Sequence, residues 1–136
     1  MSKPIPTIQK YMSTTPHTVR PDLPLAAADK IMHENHIRHL PVLDGGQLVG
    51  LLSQRDIRFI ESFKDVDINQ VQVVEAMSQD VFEVSPSAAL DEVVQTMAAK
   101  KYGSAVVTQN SQVVGIFTTV DALQALAELL RTRLAH

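Results

Sequence analysis

Two short stretches of this sequence set a hydroxyl and a carboxylate at the same spacing: Gly50-Leu-Leu-Ser53-Gln-Arg-Asp56 and Gly115-Ile-Phe-Thr118-Thr-Val-Asp121. Each leads from an apolar run that reads as a strand into a segment that reads as a helix. A helix start offers free backbone N–H groups and the positive end of the helix dipole, which suit a phosphate. Ser53 and Thr118 add a hydroxyl there. A carboxylate in the first turn can accept hydrogen bonds from a ribose diol, as acidic residues do in other nucleotide folds. Ser-x-x-Asp and Thr-x-x-Asp are also capping boxes, which need no ligand. What favours a ligand is that the same corner occurs twice, each time behind a Gly-led strand.

Other chemistries are less well supported. His33, His36 and His39 are spaced by three, and two such residues on one helix can share a zinc or nickel ion. No Cys or carboxylate stands with them at metal spacing, so they read as helix-end and cleft residues and no metal is expected. Gly45-Gly46-Gln-Leu-Val-Gly50 resembles a phosphate loop but lacks its Lys-Ser/Thr ending, and its glycines suit a hairpin turn. Ser, His and Asp are plentiful, yet no nucleophile and base can be placed together. No enzyme is expected.

The elements that position these corners come from an internal repeat. A shift of 65 positions aligns Met12–Arg58 with Met77–Leu123 without a gap. Met12-Ser13 meets Met77-Ser78, Pro21 meets Pro86, Gly50 meets Gly115 and Asp56 meets Asp121. Each copy starts with a short extended piece, Thr18-Val19 or Phe82-Glu83-Val84, closed by Pro21 or Pro86. A helix follows, with Leu25, Ala28, Ile31 and Met32, or Leu90, Val93, Val94 and Met97, at helical spacing; Pro24 fits its first turn. A hairpin comes next: His39 to Leu43 with Leu48 to Leu52, and Ser104 to Thr108 with Val113 to Phe117. Asp44-Gly45-Gly46 and Gln109-Asn110-Ser111 make its turns. A second helix begins after Ser53 or Thr118.

The fold class is therefore α/β, of the α+β kind: two β-α-β-β-α repeats packed with pseudo-twofold symmetry, since neither copy alone would bury its sheet and helices. The expected organisation is repeat 1 at 8–62, a connection at 63–72, repeat 2 at 73–125 and a C-terminal helix extension at 126–136. Ala122, Leu123, Leu126, Leu130 and Leu134 form an apolar stripe longer than one repeat needs. It serves either packing onto the domain or a contact with a second copy.

Composition narrows the classes. The 136 residues include 12 Lys and Arg against 15 Asp and Glu, for a net charge of −3, and no Cys. That balance gives no support to a general nucleic-acid binder, though it leaves room for a local basic site for a small anion, and the absence of Cys excludes disulfides, thiolate nucleophiles and Cys-held metals. Two Tyr, four Phe and no Trp give no stacking platform for single strands. No apolar run approaches the roughly 20 residues of a membrane span, and Met1 to Lys10 does not read as a secretory signal. A cytoplasmic location is expected, without membrane or nucleic-acid partners.

The repeat pair resembles two CBS motifs forming one stand-alone CBS (Bateman) module. The residues that carry the resemblance are Tyr11-Met12-Ser13, Thr18-Val19-Arg20-Pro21, Ile37-Arg38-His39-Leu40-Pro41-Val42-Leu43-Asp44 and Gly50 to Ile57 in the first copy. In the second they are Met77-Ser78, Val84-Ser85-Pro86, Ala105-Val106-Val107 and Gly115 to Asp121. Arg55-Asp56-Ile57-Arg58-Phe59 also looks like the regulatory insert of inosine-monophosphate dehydrogenases, whose catalytic barrel has no counterpart in this sequence. The resemblance implies regulation by an adenosyl ligand: AMP, ADP, ATP or S-adenosylmethionine, sometimes NAD or a dinucleotide messenger. It implies two sites in clefts between the copies, a homodimer through the CBS helices, and a regulated protein acting in trans. Ligand binding would change the geometry between repeats or subunits.

By the same resemblance the main site takes Ser53, Arg55 and Asp56 with Arg38 and His39, and its base lies against Met77, Asp80, Phe82 and Tyr102. The second site takes Thr118 and Asp121, with Met12, Thr15, His17 and Ile37 on the base side. Arg forks suit phosphate oxygens, and the second copy has Gly103, Ser104 and Val120 where the first has Arg38, His39 and Arg55. Lys100 and Lys101 stand at a helix end, where basic residues are common. The Asp56 site is therefore expected to be the nucleotide site. The Asp121 site is expected to be weak, empty or suited to a nucleoside with little phosphate. The other class of function is a structural dimerisation module with vestigial ligand sites.

Overall fold

The computed structural model describes residues 4–134; the side chain of Leu134, the last residue of the expected stripe, and Met1 to Lys3 of the N-terminal segment lie outside the described residues. The elements are β1 (Ser13–Thr14), α1 (Leu25–Asn35), β2 (His39–Asp44), β3 (Gln47–Ser53), α2 (Gln54–Glu61), α3 (Val73–Ala76), β4 (Glu83–Val84), α4 (Leu90–Lys100), β5 (Ser104–Gln109), β6 (Gln112–Thr118) and α5 (Thr119–Leu129). A short 3₁₀ turn, Ile8–Lys10, precedes β1, and a π turn, Leu130–Leu134, continues α5. Among the described residues no helix is long and apolar enough to cross a membrane.

The chain forms two compact units. One is Pro16–Val81; the other joins the chain up to Thr15 with the chain from Phe82. Each unit thus holds the helix and hairpin of one repeat and the leading segment of the other. Matching hydrogen bonds fix the exchange. In one unit Leu90 N–H donates to Pro6 O at 2.9 Å, Ile8 N–H to Ala88 O at 2.9 Å and Gln9 N–H to Pro86 O at 3.0 Å. In the other, shifted by 65 positions, Leu25 N–H donates to Val71 O at 2.7 Å, Val73 N–H to Leu23 O at 2.9 Å and Val74 N–H to Pro21 O at 2.9 Å. Ile8 and Val73 are fully buried in their respective cores, and burying a side chain of that size contributes about 1.5–3 kcal/mol. Ile68 and Val71, from the connecting stretch, also pack against the core of the Pro16–Val81 unit.

The helices form where apolar periodicity dictates. Leu25, Ala28 and Met32 of α1, and Leu90, Val93 and Met97 of α4, are the buried faces. Pro24 is the N-cap of α1, one place before the first turn that its ring suggests. Both helices end on a left-handed residue, His36 (φ 53°) and Lys101 (φ 61°), a conformation that normally favours Gly. In each unit a hairpin packs on these helices. Its two turn residues have positive φ, Gly45 and Gly46 in β2–β3, Asn110 and Ser111 in β5–β6, as a tight hairpin turn requires. β1 pairs antiparallel with β6 and β4 parallel with β5, giving the order β1-β6-β5-β4. Around β2–β3 the same edges shrink to single bridges, Leu51 with Ser78 and Val19 with Val42.

Candidate functional site

Both sequence corners fold as full capping boxes. Ser53 ends β3 in extended backbone and caps α2: its Oγ accepts from Asp56 N–H at 3.1 Å, and Asp56 Oδ2 accepts from Ser53 N–H at 2.8 Å. Gln54 N–H donates to Arg38 O at 2.9 Å. Three amides at this helix start are thus engaged within the chain, so any anion placed here would have to be held chiefly by side chains.

Three basic side chains stand there, two of them fixed cations. His39 opens β2 and pairs in register with Ser53. Arg38 precedes it, and Arg55 stands exposed in the first turn of α2. Among the described residues neither guanidinium has an ion pair or hydrogen bond, and the half-buried His39 ring has no hydrogen-bond partner. Burial pushes the His39 imidazole below its ordinary pKa; Asp56 works against that shift, and Arg38 and Arg55 add to it. All four groups therefore share one electrostatic environment.

The segment after α3 lies along the corner. Ser78 and Leu51 exchange both backbone hydrogen bonds at 2.9 Å. Gly50 permits this approach: a Cβ there would stand 2.5 Å from Met77 Sδ and 2.9 Å from Ser78 O. Met77 is half-buried, and Asp80 further along is exposed. Arg38, His39, Ser53, Arg55, Asp56, Met77 and Asp80 all belong to the Pro16–Val81 unit. Phe82 and Tyr102 belong to the other, where their rings lie 5.3 Å apart between centroids, tilted by 33°, beside that unit's core.

The Asp121 corner repeats this backbone with different side chains. Thr118 caps α5, and Asp121 accepts from Thr118 N–H at 2.9 Å and from Thr118 Oγ1 at 3.2 Å. Ser13 Oγ, on the exchanged β1, donates to the same carboxylate at 3.3 Å. Asp121 is only 8% exposed. Met12 Sδ would stand 2.7 Å from a Cβ on Gly115. Ser104, in register with Thr118, is buried with its Oγ unpartnered. Thr15 is exposed at φ 48°, its hydroxyl donating to Thr14 O at 2.7 Å. His17, exposed, and Ile37, against the other core, belong to the Pro16–Val81 unit.

Sequence reasoning missed Ser13 as a partner of Asp121. Its register with Ser78 in the repeat was the available signal, but nothing in the spacing says which copy the segment joins. His33 lies in the last turn of α1 and His36 is its C-cap. Among the described residues no group of three His, Asp or Glu side chains is placed to hold a metal.

The sequence profile of the CBS domain matches this chain twice, over residues 7–61 and 71–128. A putative acetoin utilization protein (AcuB) from Vibrio cholerae superposes with a TM-score of 0.87 at 28% identity, over 98% of each chain. The CBS domain pair of protein MJ0100, solved in complex with 5′-methylthioadenosine and S-adenosyl-L-methionine, superposes with a TM-score of 0.83 at 26% identity, over 92% of this chain and 98% of that one. The inosine-5′-monophosphate dehydrogenase of Korarchaeum cryptofilum is 27% identical over 134 residues, which are 98% of this chain but 27% of that enzyme.

Proposed function

This chain belongs to the CBS domain family, and from that premise we propose that it is a regulatory, non-catalytic module that binds a phosphate-bearing adenine nucleotide at the Asp56 corner. The observation that carries the reading is the cluster of Arg38, Arg55 and His39 around Asp56, with no carboxylate partner for either Arg among the described residues. The MJ0100 pair, with its adenosyl ligands, supports an adenosyl group. Neither of those ligands carries a phosphate. Two unpaired Arg forks favour phosphate oxygens over the cationic sulfonium of S-adenosylmethionine, so AMP, ADP or ATP fits this corner better. Asp56 would receive the ribose hydroxyls. The ligand regulates a protein partner only to the extent that it binds one conformation more tightly than another.

A second reading is a dimerisation module in which the ligand corners are vestigial. The observation that favours it is a row of exposed apolar side chains, Val120, Leu123 and Leu126 on α5 and Leu130 at the start of the π turn after it, with Leu123 65% exposed, together with Phe59 on α2 (62% exposed) and Phe63 just after it. A homodimer through these helices is compatible with either reading.

Thermal unfolding against AMP, ADP, ATP, S-adenosylmethionine, 5′-methylthioadenosine and NAD separates them. A ligand that binds only the folded state, at a hundredfold excess over its dissociation constant, adds about 2.7 kcal/mol of stability. Stabilisation by one or more of AMP, ADP and ATP is expected. Stabilisation by S-adenosylmethionine alone overturns the phosphate assignment, and a flat panel with a concentration-dependent dimer leaves the second reading standing.

A further inference from the structure

The corner also carries a group whose charge can change near neutral pH. His39 is half-buried, opposite Ser53 in the β2–β3 register, with a ring that has no hydrogen-bond partner among the described residues. The charges that act on it come from two elements: Arg38 at the start of its own strand, and Arg55 and Asp56 from the first turn of α2. The third element at this corner, the Met77–Val81 segment, has Asp80 as its one charged residue, and that group is not among those that shift the imidazole. Two fixed cations face one carboxylate, and that carboxylate is already held in its capping box. Burial of the ring is the largest cause of its lowered pKa, Asp56 opposes it, and Arg38 and Arg55 add to it; a proton on His39 would be buried beside two cations, so the free protein favours the neutral ring.

A phosphate dianion reverses this balance. Placed between Arg38 and Arg55, it offsets both repulsions and gives an imidazolium an acceptor, and that charge-assisted bond works against the cost of burial. Resting on the nucleotide reading above, we propose that His39 is the residue by which the Asp56 corner senses ligand charge: it takes up a proton from solvent when a phosphate-bearing nucleotide binds, and none when an unphosphorylated nucleoside binds.

The linkage has a definite sign. In the free protein the imidazole pKa is lowered, so protonation favours the unfolded chain and folding stability falls as pH drops from the ordinary imidazole range through the folded value. In the complex the pKa is raised, so phosphate affinity rises as pH falls towards that same range. The ligand cannot mimic this, because protonating a phosphate near its second pKa of about 6 weakens it as an acceptor.

The test is titration calorimetry with AMP and with adenosine at about pH 6.5 and about pH 8, in buffers of different ionisation enthalpy. AMP is expected to bind about three- to tenfold more tightly at the lower pH, since each unit of pKa shift is a factor of ten, with net proton uptake. Adenosine is expected to show neither effect, and His39→Gln is expected to lose both for AMP while still binding it. AMP binding with equal affinity at both pH values and no proton uptake overturns the proposal and leaves the nucleotide reading intact. Unaltered proton uptake in His39→Gln assigns the linkage to another group and overturns it as well. No binding of AMP, or of ADP or ATP titrated in the same way, at either pH overturns both together.

Discussion

The β3–α2 corner and the β6–α5 corner are one backbone design carrying two chemistries. In both, a hydroxyl residue caps a helix, an Asp three residues on closes the box, and a glycine lets an exchanged segment with a Met press against the strand. What differs is how satisfied the carboxylate is and what charge surrounds it. Asp121 is nearly buried and takes hydrogen bonds from Ser13, Thr118 N–H and Thr118 Oγ1. Asp56 is half-buried and, among the described residues, accepts only from Ser53 N–H. Ser78, the counterpart of Ser13, is exposed and leaves Asp56 alone. Cations flank Asp56, while Gly103, Ser104 and Val120 occupy the matching places near Asp121. The backbone tolerates this because none of the differing side chains makes a scaffold bond. Where duplication fixes geometry, the residues free of scaffold duty are where function separates.

The largest expected difference between the corners is in ligand affinity. On the proposed reading Asp56→Ala removes the acceptor for the ribose hydroxyls, and a hydrogen bond to a charged group is worth about 1.5–3 kcal/mol, or about ten- to a hundredfold in affinity. Asp121→Ala is expected to leave AMP affinity unchanged and instead to lower the unfolding midpoint, because it strands Ser13 and Thr118 beside an empty position. Calorimetry and denaturant unfolding on both variants decide the matter. Equal losses of AMP affinity would mean that the corners act as one site, and the contrast drawn above would collapse.

The shared scaffold can be broken at either glycine. Gly50→Ala would bring a methyl group to 2.9 Å from Ser78 O, and Gly115→Ala to 2.9 Å from Ser13 O. Backbone oxygens held by backbone pairing, Ser13 in β1 and Ser78 in its bridge to Leu51, cannot step aside as a Met side chain can. Overpacking of this kind costs about 1–3 kcal/mol. Both variants are expected to lose stability within that range in urea unfolding. A loss at one glycine only would show that one exchanged segment is held less firmly than the other.

Much of this was readable in the residues, for local reasons. The capping boxes follow from Ser-x-x-Asp and Thr-x-x-Asp, the hairpin turns from Gly45-Gly46 and Asn110-Ser111, and the buried faces of α1 and α4 from spacing. Each of those signals lies within a few residues of the structure it specifies. The exchange of leading segments was not readable from the residues themselves; only the family resemblance set Met77 beside Asp56 and Met12 beside Asp121. Ile8 and Val73 stand at equivalent places in a repeat whose two grooves are nearly alike, so apolar pattern alone cannot say which groove each fills. Ser13 therefore went unnoticed as a partner of Asp121. The free ring of His39 was equally hidden, because pairing across β2 and β3 sets its surroundings, not its neighbours in sequence.

Charge and closure are separable causes of the contrast, and Val120→Arg separates them. Val120 is exposed and stands where the first repeat has Arg55, so the substitution costs no core packing. If charge is what the Asp121 corner lacks, Val120→Arg in the Asp56→Ala background restores AMP binding by about tenfold, the 1.4 kcal/mol of one modest charged contact. If affinity stays flat, the Ser13 bond to Asp121 is the closing element. Ser13→Ala added to Val120→Arg should then open the site.

The smallest effect concerns the turns that hold the two hairpins in register. Both place two residues at positive φ, but β2–β3 does so with Gly45 and Gly46, and β5–β6 with Asn110 and Ser111. Asn tolerates the left-handed region because its short side chain bonds locally, whereas Ser carries the full steric penalty, roughly 1–2 kcal/mol for an ordinary residue. Ser111→Gly relieves that penalty but adds freedom to the unfolded chain, which offsets about 0.5–1 kcal/mol. A net gain below about 1 kcal/mol is therefore expected in denaturant unfolding, with AMP affinity unchanged. The reverse change, Gly46→Ser, places the strain in the hairpin that carries His39 and Ser53. It is expected to lower stability by a similar amount and, by loosening the register of His39 against Ser53, to weaken AMP binding as well. A loss of stability without any loss of affinity would show that the Asp56 corner is held by the capping box alone, independently of the turn at the far end of its hairpin.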